Sequence, residues 1–308
     1  MDNGARGARR VVTIVGIAIA VTIVWVSIST VWLWRNQERV VFQPPGDDVS
    51  APGPARRVEF KAADDHPIFG YLVPPATAAG APGSLVIAFH GNADLSAWLV
   101  PWARELADRT GVPVFLPEYR GYAGIPGTPT YESAGADARG AVAYAREGLR
   151  ASRIVLFGHS LGTAVAADVA ALMEVGAPLS SPPSALVLQA PFTSAREMAV
   201  RMLVPAVPWL WRAISRVHYD TRALVAKLDC PVWVSHGTRD VVIPVRMGRQ
   251  VFNAARHKGE LLIVEGAGHN DVAEVGGERY WRWLAAAVSS SASVAVGELE
   301  EERHGRLP

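Results

Sequence analysis

The chain has 308 residues, with 30 Lys and Arg against 29 Asp and Glu, so its formal net charge is +1 at pH 7. This balance excludes a protein that binds nucleic acid through a net basic surface, and a composition that is 50% hydrophobic and 19% charged excludes disorder throughout the chain. The single cysteine, Cys230, excludes an internal disulfide and any metal site made of several cysteines.

The first predicted element is an apolar helix near the N-terminus. Val11 to Trp34 is a run of 24 residues without a charge, with arginines on both sides. As a helix it is about 36 Å long, enough to cross a hydrocarbon core of about 30 Å. Trp32 and Trp34 lie where an aromatic belt meets the membrane interface. We therefore predict a basic segment at residues 1–10 and a single transmembrane anchor at residues 11–34.

Two alternatives remain for this segment, a cleaved signal peptide and a buried core helix. The apolar region of a signal peptide is usually about 7–15 residues, and the Ala18-x-Ala20 pattern lies inside the run rather than after it. A core helix would rarely be apolar on every face. Because three arginines precede the run and two follow it closely, the positive-inside rule predicts a cytoplasmic N-terminus and an exocytoplasmic main domain.

The rest of the chain is predicted to be one domain at residues 55–288, between a linker at residues 35–54 and a disordered tail at residues 289–308. Short β-rich runs alternate in the domain with longer helical patterns. Several runs are continuously apolar, which is typical of parallel strands covered on both faces, so we predict an α/β fold with a mostly parallel, doubly wound sheet. The predicted strands are Arg57–Lys61, Ile68–Val73, Leu85–Phe89, Val114–Leu116, Ile154–Phe157, Ala185–Leu188, Val232–Ser235 and Leu261–Val264. The predicted helices are Leu95–Arg109, Tyr131–Leu149, Leu161–Val175, Pro244–Ala255 and Gly277–Ala287.

The most specific motif lies between the fifth predicted strand and the helix that follows it. Residues 158–162 read Gly-His-Ser-Leu-Gly. Between a strand and a helix, G-x-S-x-G indicates a nucleophile elbow, a sharp turn that projects the serine hydroxyl above the sheet. We predict that Ser160 is a catalytic nucleophile. The alternative is a tight turn with an incidental serine.

A serine nucleophile needs a base and an acid that orients the base. His269 follows the last predicted strand in the run GAGHN, and Asp240 follows the preceding strand in the run GTRD. Like Ser160, both come just after the carboxyl end of a strand, which predicts that the three meet at one edge of the sheet. The other histidines are interpreted as surface, turn or tail residues, or, for His159, as facing away from the site: His66, His90, His159, His218, His236, His257 and His304.

The third predicted strand ends in His-Gly-Asn-Ala at residues 90–93, ahead of a helix. We predict that the backbone N–H groups of Asn92 and Leu161 bind the oxyanion of a tetrahedral intermediate; a plain turn is the alternative. The sequence contains no H-E-x-x-H, phosphate-binding loop or dinucleotide fingerprint. No metal and no organic cofactor are therefore predicted.

Together these motifs resemble the α/β-hydrolase superfamily. They are most similar to its membrane-anchored branch, which includes acyl-protein thioesterases, lysophospholipid lipases and the Bem-type proteins of yeast. The resemblance runs from about Val58 to Val288 and implies the fold and the triad but not the substrate. The matching stretches are FHGNA (89–93), PEYRGYAGIPGTPT (117–130), GHSLG (158–162), APFTS (190–194), HGTRDVVIP (236–244) and GAGHND (266–271). The chain departs from the pattern at Glu118, where Asp is common, and at Ala123, where Gly is more usual.

A long connection between the sixth and seventh predicted strands contains the apolar run MLVPAVPWLWRAI. We predict a small cap at about residues 191–228, in which Trp209 and Trp211 line an acyl pocket together with Trp98; a helix packed on the sheet is the alternative. Trp102, at helical spacing from Trp98, lines the same pocket or the core.

The predicted function is that of a serine hydrolase acting on a carboxylic ester or thioester. The predicted partners are a small-molecule acyl substrate, with lipids among the candidates, and the membrane. One alternative is a serine peptidase or aminopeptidase of the same fold, which usually needs a carboxylate or an added domain to hold the peptide amine; the sequence identifies neither. The other is a non-enzymatic membrane-tethered scaffold, which would usually have lost a residue of the triad.

Overall fold

The computed structural model describes residues 3–46, 53–176, 181–202 and 215–304. Its centre is an eight-stranded sheet in the order β1-β2-β4-β3-β5-β6-β7-β8. β2 pairs antiparallel with β1 and β4, and the other neighbouring pairs are parallel. The strands are β1 (Arg56–Lys61), β2 (Pro67–Val73), β3 (Ser84–Phe89), β4 (Val114–Pro117), β5 (Arg153–His159), β6 (Ala185–Gln189), β7 (Val232–Gly237) and β8 (Lys258–Val264). The predicted mostly parallel sheet is confirmed.

Eight α-helices and one 3-10 helix lie in the described part of the chain. They are α1 (Asn3–Val41), the 3-10 helix Ser96–Leu99, α2 (Val100–Thr110), α3 (Tyr131–Glu147), α4 (Leu161–Val175), α5 (Ala195–Met202), α6 (Thr221–Val225), α7 (Val245–Ala254) and α8 (Val272–His304). Every residue of β4, β6 and β7 is buried, because helices cover the centre of the sheet and leave its apolar strands no contact with water.

All eight predicted strands are present, and no predicted end differs from the observed one by more than three residues. The predicted helix at Leu95–Arg109 divides into the 3-10 helix and α2, because Pro101 lies in the first turn of α2. Proline favours the first turn of an α-helix, since it has no N–H to donate to a preceding turn.

Two helices extend past the predicted boundaries. Residues 35–41, predicted as part of the linker, continue α1, because Gly and Pro are absent until Pro44 and nothing stops the helix earlier. Residues 289–304, predicted as a disordered tail, continue α8, since Ala, Leu, Glu and Arg in this stretch favour a helix. Residues 305–308 lie outside the described residues.

Helix α1 has an exposed part and a part that packs on the domain. Its segment Arg10–Val41 is long and apolar enough to cross a membrane, and its most apolar window is not buried against the protein. Near its C-terminal end, however, Leu33 and Gln37 are buried. Positions four apart share one face of a helix, so this face packs against the domain.

Candidate active site

The sharp turn between β5 and α4 places Ser160 at the edge of the sheet. Its backbone has φ 52° and ψ −117°, a left-handed conformation that costs a non-glycine residue about 1–3 kcal/mol. A Cβ atom on Gly158 would collide with the backbone of Gly162, and one on Gly162 would collide with the end of β3. The glycines of the motif therefore let strand and helix approach closely enough to hold the strained turn.

The structure brings the three residues of the predicted triad together. Ser160 Oγ lies 2.9 Å from His269 Nε2, and His269 Nδ1 lies 2.7 Å from Asp240 Oδ2. Asp240 follows β7 and His269 follows β8, which explains how residues 80 and 29 positions apart meet. In this arrangement the histidine can take a proton from the serine while the aspartate fixes its tautomer.

Asp240 is held by more than His269. Its Oδ1 accepts hydrogen bonds from the amides of Val242 and Ile243 at 2.9 and 2.8 Å, and His236 Nε2 lies 3.2 Å from Oδ2. Burial by itself raises the pKa of Asp240, but the hydrogen bonds from His236 and His269 outweigh burial and hold that pKa well below its usual range. Asp240 is therefore ionised at neutral pH. His236, interpreted from the sequence as a turn residue, is a direct partner of this carboxylate.

The loop predicted to supply one oxyanion donor rests on a second histidine and carboxylate. His90 Nε2 lies 2.6 Å from Glu118 Oε1, and both side chains are fully buried. Glu118 Oε2 also accepts from the amide and the hydroxyl of Ser96, at 3.0 and 2.7 Å. Burial by itself lowers the pKa of His90, but the charge of Glu118 and its hydrogen bond outweigh burial and raise it. The sequence pattern predicts a turn residue at His90, and in the sequence only the departure from Asp at position 118 sets this pair apart.

Asn92 and Leu161, the predicted oxyanion donors, line the same cavity as Ser160. Leu161 is the first residue of α4, where backbone N–H groups have no partner within the helix. The side chain of Asn92 is fixed by two donors to its Oδ1, the hydroxyl of Tyr122 at 3.1 Å and the amide of Gln43 at 2.7 Å. The backbone that follows β3 is thereby held beside the serine.

The cavity has a volume of about 790 Å³ and a mainly apolar lining, within the range of about 300–1,000 Å³ that is usual for small-molecule sites. Its described lining includes two carboxylates, Asp94 and Glu274, and no Lys or Arg. No cluster of three metal-ligating side chains occurs in the described part of the chain.

Of the predicted pocket residues, Trp98 lines the cavity and is half exposed, and Trp102 lines it as well. Trp102 Nε1 donates to Tyr280 Oη at 3.0 Å, and Tyr280 donates to Gln189 Oε1 at 2.7 Å. Trp209 and Trp211 belong to residues 203–214, which lie outside the described residues. On either side of that gap, the predicted cap contains α5 and α6.

His159 lines the cavity, so the prediction that it faces away from the site was wrong. Its Nε2 lies 3.2 Å from the carbonyl oxygen of His269, so the ring lies beside the triad histidine and not on the serine. Burial, and then the charge of His269, lower the pKa of His159 to about 4. The ring is therefore neutral at pH 7.

One wall of the cavity was not predicted from the sequence. Leu33, Val40 and Val41, all in α1, line the cavity together with Ser160. They are about 120 residues away from the serine in the chain, and no motif connects the two segments. Only the burial of one face at the end of an otherwise exposed helix indicates the contact.

A family model described as "Serine aminopeptidase, S33" matches residues 80–223. The uncharacterized protein Rv2307c of Mycobacterium tuberculosis (strain H37Rv) is 33% identical over 249 residues, which cover 78% of this chain and 83% of that protein. Alpha/beta hydrolase domain-containing protein 17B of Homo sapiens is 31% identical over 185 residues, 59% of each chain.

Among solved structures, Est1E from Butyrivibrio proteoclasticus superimposes with a TM-score of 0.61. The superposition covers 78% of this chain and all of that one, at 16% sequence identity. At such identity the similarity establishes the fold alone, and the chemistry has to be argued from the residues themselves.

Proposed function

The chain is a hydrolase of the α/β-hydrolase superfamily, and from this premise we propose that it cleaves carboxylic esters or thioesters with Ser160 as nucleophile, His269 as base and Asp240 as the orienting acid. The observation that carries the proposal is the continuous series of contacts from Ser160 Oγ through the imidazole to an ionised Asp240. A turn with an incidental serine would give no reason for a histidine and a buried carboxylate to align behind it.

The proposed reaction has two halves. His269 removes the proton of Ser160 as its oxygen attacks the acyl carbon, and Asp240 stabilises the imidazolium that forms. The amides of Asn92 and Leu161 hold the oxyanion, and loss of one such donor typically costs about 2.7–4 kcal/mol. The imidazolium then protonates the departing alcohol or thiol. A water, activated by the same histidine, releases the acyl group from Ser160.

An acyl group is the favoured substrate moiety because the cavity that contains Ser160 has a mainly apolar lining. Phe192, Met198 and Ile243 line it, together with Trp98 and Trp102. A hydrocarbon chain of several carbons would gain about 0.8 kcal/mol for each buried methylene. These residues would therefore favour a longer acyl chain over an acetyl group.

We further propose that α1 anchors the enzyme in a membrane, with the N-terminus in the cytoplasm and the catalytic domain on the other side. The length, the apolar exposed surface and the flanking arginines support this arrangement. A cysteine engineered at exposed Asp65 should react with an impermeant maleimide in intact spheroplasts. Reaction only after permeabilisation would mean the opposite orientation.

Aminopeptidase activity is a second candidate, because two carboxylates line the cavity. Asp94 is the weaker candidate to hold a substrate amine: its Oδ1 already accepts from the amide of Leu95 at 2.8 Å, and burial raises its pKa. Glu274 is exposed at the cavity. If the enzyme is an aminopeptidase, aminoacyl amides should be better substrates than acyl esters, and Glu274→Gln should weaken only the former.

The decisive test is labelling of the full-length protein by a fluorophosphonate probe, together with hydrolysis of butyrate and laurate esters. The wild type should be labelled and active, whereas Ser160→Ala should lose labelling and at least about 10⁴-fold in kcat. Ser152→Ala, at an exposed serine just before β5, is the matched control and should behave like the wild type. A folded wild type that takes no label and cleaves no substrate would instead support the scaffold alternative.

A further inference from the structure

We propose that the C-terminal end of α1 is part of the acyl-binding site, so that the segment that anchors the enzyme also selects the acyl chain. The proposal rests on the serine hydrolase function proposed above and adds a substrate class to it. That class is an ester whose acyl chain starts in the bilayer and reaches Ser160 along α1.

The first support is the position of the helix end. Leu33, Val40 and Val41 line the cavity that contains Ser160 and His269. Leu33 is 6% exposed, whereas Val31, two positions earlier, is 54% exposed. Residues two positions apart lie about 200° apart around a helix of 3.6 residues per turn, so one face forms the wall and the other remains free to contact lipid.

The second support is that polar contacts hold the helix end in place. Gln37 Oε1 accepts from the amide of Arg216 at 2.6 Å, and the Arg216 guanidinium donates to the carbonyl of Trp34 at 2.9 Å. The same guanidinium lies over the Trp34 ring, 5.3 Å from its centroid. Directly after the helix, the amide of Gln43 donates to Asn92 in the oxyanion loop. A tether that moved independently of the domain would not make these contacts with Arg216 and Asn92.

The third support is the depth of the wall relative to the membrane. Trp32, Trp34 and Arg35 are residue types that mark the interface between hydrocarbon and water. Leu33 lies between them in sequence and faces the cavity. The cavity therefore extends to the level of the interface, where the ester groups of membrane lipids lie.

Exposed apolar side chains at the cavity edge agree with this placement. Trp98 and Val242 line the cavity and are also exposed, and the adjacent Val241 is 80% exposed. Apolar groups clustered around an opening typically mark a surface that contacts a membrane or another apolar partner. The lining of the same cavity includes Leu33, Val40 and Val41 of α1, the helix proposed to enter the bilayer.

The experiment uses the full chain in vesicles of ether-linked phosphatidylcholine, a lipid that contains no carboxylic ester. The substrates are monoacylglycerols with 4-carbon and 16-carbon chains; uncharged esters are chosen because the described lining holds carboxylates and no cation. Leu33→Trp should lower kcat/KM on the 16-carbon ester at least about 10-fold and change the 4-carbon value less than about 3-fold. Val31→Trp, the same substitution on the exposed face, should leave both values within about 2-fold.

Leu33→Ala is a second variant, used in case the bulky Leu33→Trp variant misfolds. It should raise kcat/KM on the 16-carbon ester relative to the 4-carbon ester, the opposite of the change expected for Leu33→Trp. Labelling by a short-chain fluorophosphonate reports whether each variant retains its site. An unchanged ratio in both Leu33 variants, with labelling intact, overturns the inference and leaves the serine hydrolase standing. If the wild type takes no label and cleaves neither ester, it is the proposed function that fails.

Discussion

Two pairs of histidine and carboxylate lie at the same edge of the sheet, and by distance alone they are almost equal. His269 and Asp240 are 2.7 Å apart, and His90 and Glu118 are 2.6 Å apart. They differ in what the second ring nitrogen faces. In His269 it faces the hydroxyl of Ser160, whereas in His90 it faces the carbonyl of Gly91 at 2.8 Å.

This difference determines what each ring nitrogen can do. A carbonyl and a carboxylate are both acceptors, so both nitrogens of His90 are placed to donate, which favours the imidazolium. A hydroxyl can donate, so the His269 nitrogen that faces Ser160 is placed to accept a proton. A short contact between imidazole and carboxylate is therefore not enough to mark a candidate base, and the partner on the other ring nitrogen has to be considered as well.

The largest expected effect is a loss of activity when the histidine of the first pair, His269, is replaced. His269→Ala should lower kcat by about 10⁴-fold or more, because Ser160 loses its base. The free energy of unfolding should change by less than about 2 kcal/mol, since the ring is partly exposed at the cavity. Ester hydrolysis and urea denaturation measure the two quantities. A variant that retains a tenth of the activity would contradict the assignment of the base.

The next largest effect is a loss of stability when the second pair, His90 and Glu118, is broken. Glu118→Gln leaves the His90 imidazolium buried without its counter-charge, which should cost about 3–5 kcal/mol in urea denaturation at pH 6. Because the pKa of His90 is raised, this stabilisation is fully present below the ordinary histidine pKa of about 6.5 and is lost as pH rises through the folded value. The difference from wild type should therefore shrink at high pH. Equal stabilities at pH 6 would mean that His90 is neutral.

A third carboxylate, half-buried Asp168, sharpens the comparison with the smallest expected effect. Burial raises the pKa of Asp168 in α4 to about 6, against a hydrogen bond with Tyr131 that lowers it. Between pH of about 4 and 6 the folded state binds the extra proton, so stability falls as pH rises through this window. Asp168→Asn should remove that loss and raise the free energy of unfolding at pH 8 by about 1–3 kcal/mol, with little change at pH 4.5.

Asp65→Asn is the matched control for Asp168→Asn, because the Asp65 side chain is exposed and its φ of 63° suits asparagine. Thermal unfolding at the two pH values should show no gain for this variant. A gain at both pH values for Asp168→Asn would mean that its carboxyl is not the titrating group.

Features determined by residues close together in the chain were predictable from the sequence. The elbow is encoded in five consecutive residues, and Asp240 and His269 each follow an apolar strand, so local patterns were enough to predict that these side chains meet. Their catalytic role stays a prediction. The superfamily and the sheet are confirmed, because alternating strands and helices are likewise local signals.

Features that depend on contacts between distant segments were not predictable in this way. His90 and Glu118 are 28 residues apart, and Gln37 and Arg216 are 179 apart. Neither pair belongs to a motif with fixed spacing. The sequence predicts a linker at the end of α1, because the charged residues after Trp34 end the apolar run; they do not end the helix. Its buried face becomes visible only once the sheet and its loops are in place.

Helix α1 is continuous over 39 residues, about 58 Å at 1.5 Å per residue. If α1 anchors the enzyme as proposed, this single helix lies in lipid at its N-terminal end and packs against the catalytic domain at its C-terminal end. A helix whose apolar length exceeds the bilayer thickness leans, and leaning would move Leu33 relative to Ser160. Bilayer thickness would then tune the shape of the cavity, so that one sequence would select different acyl chains in thin and thick membranes.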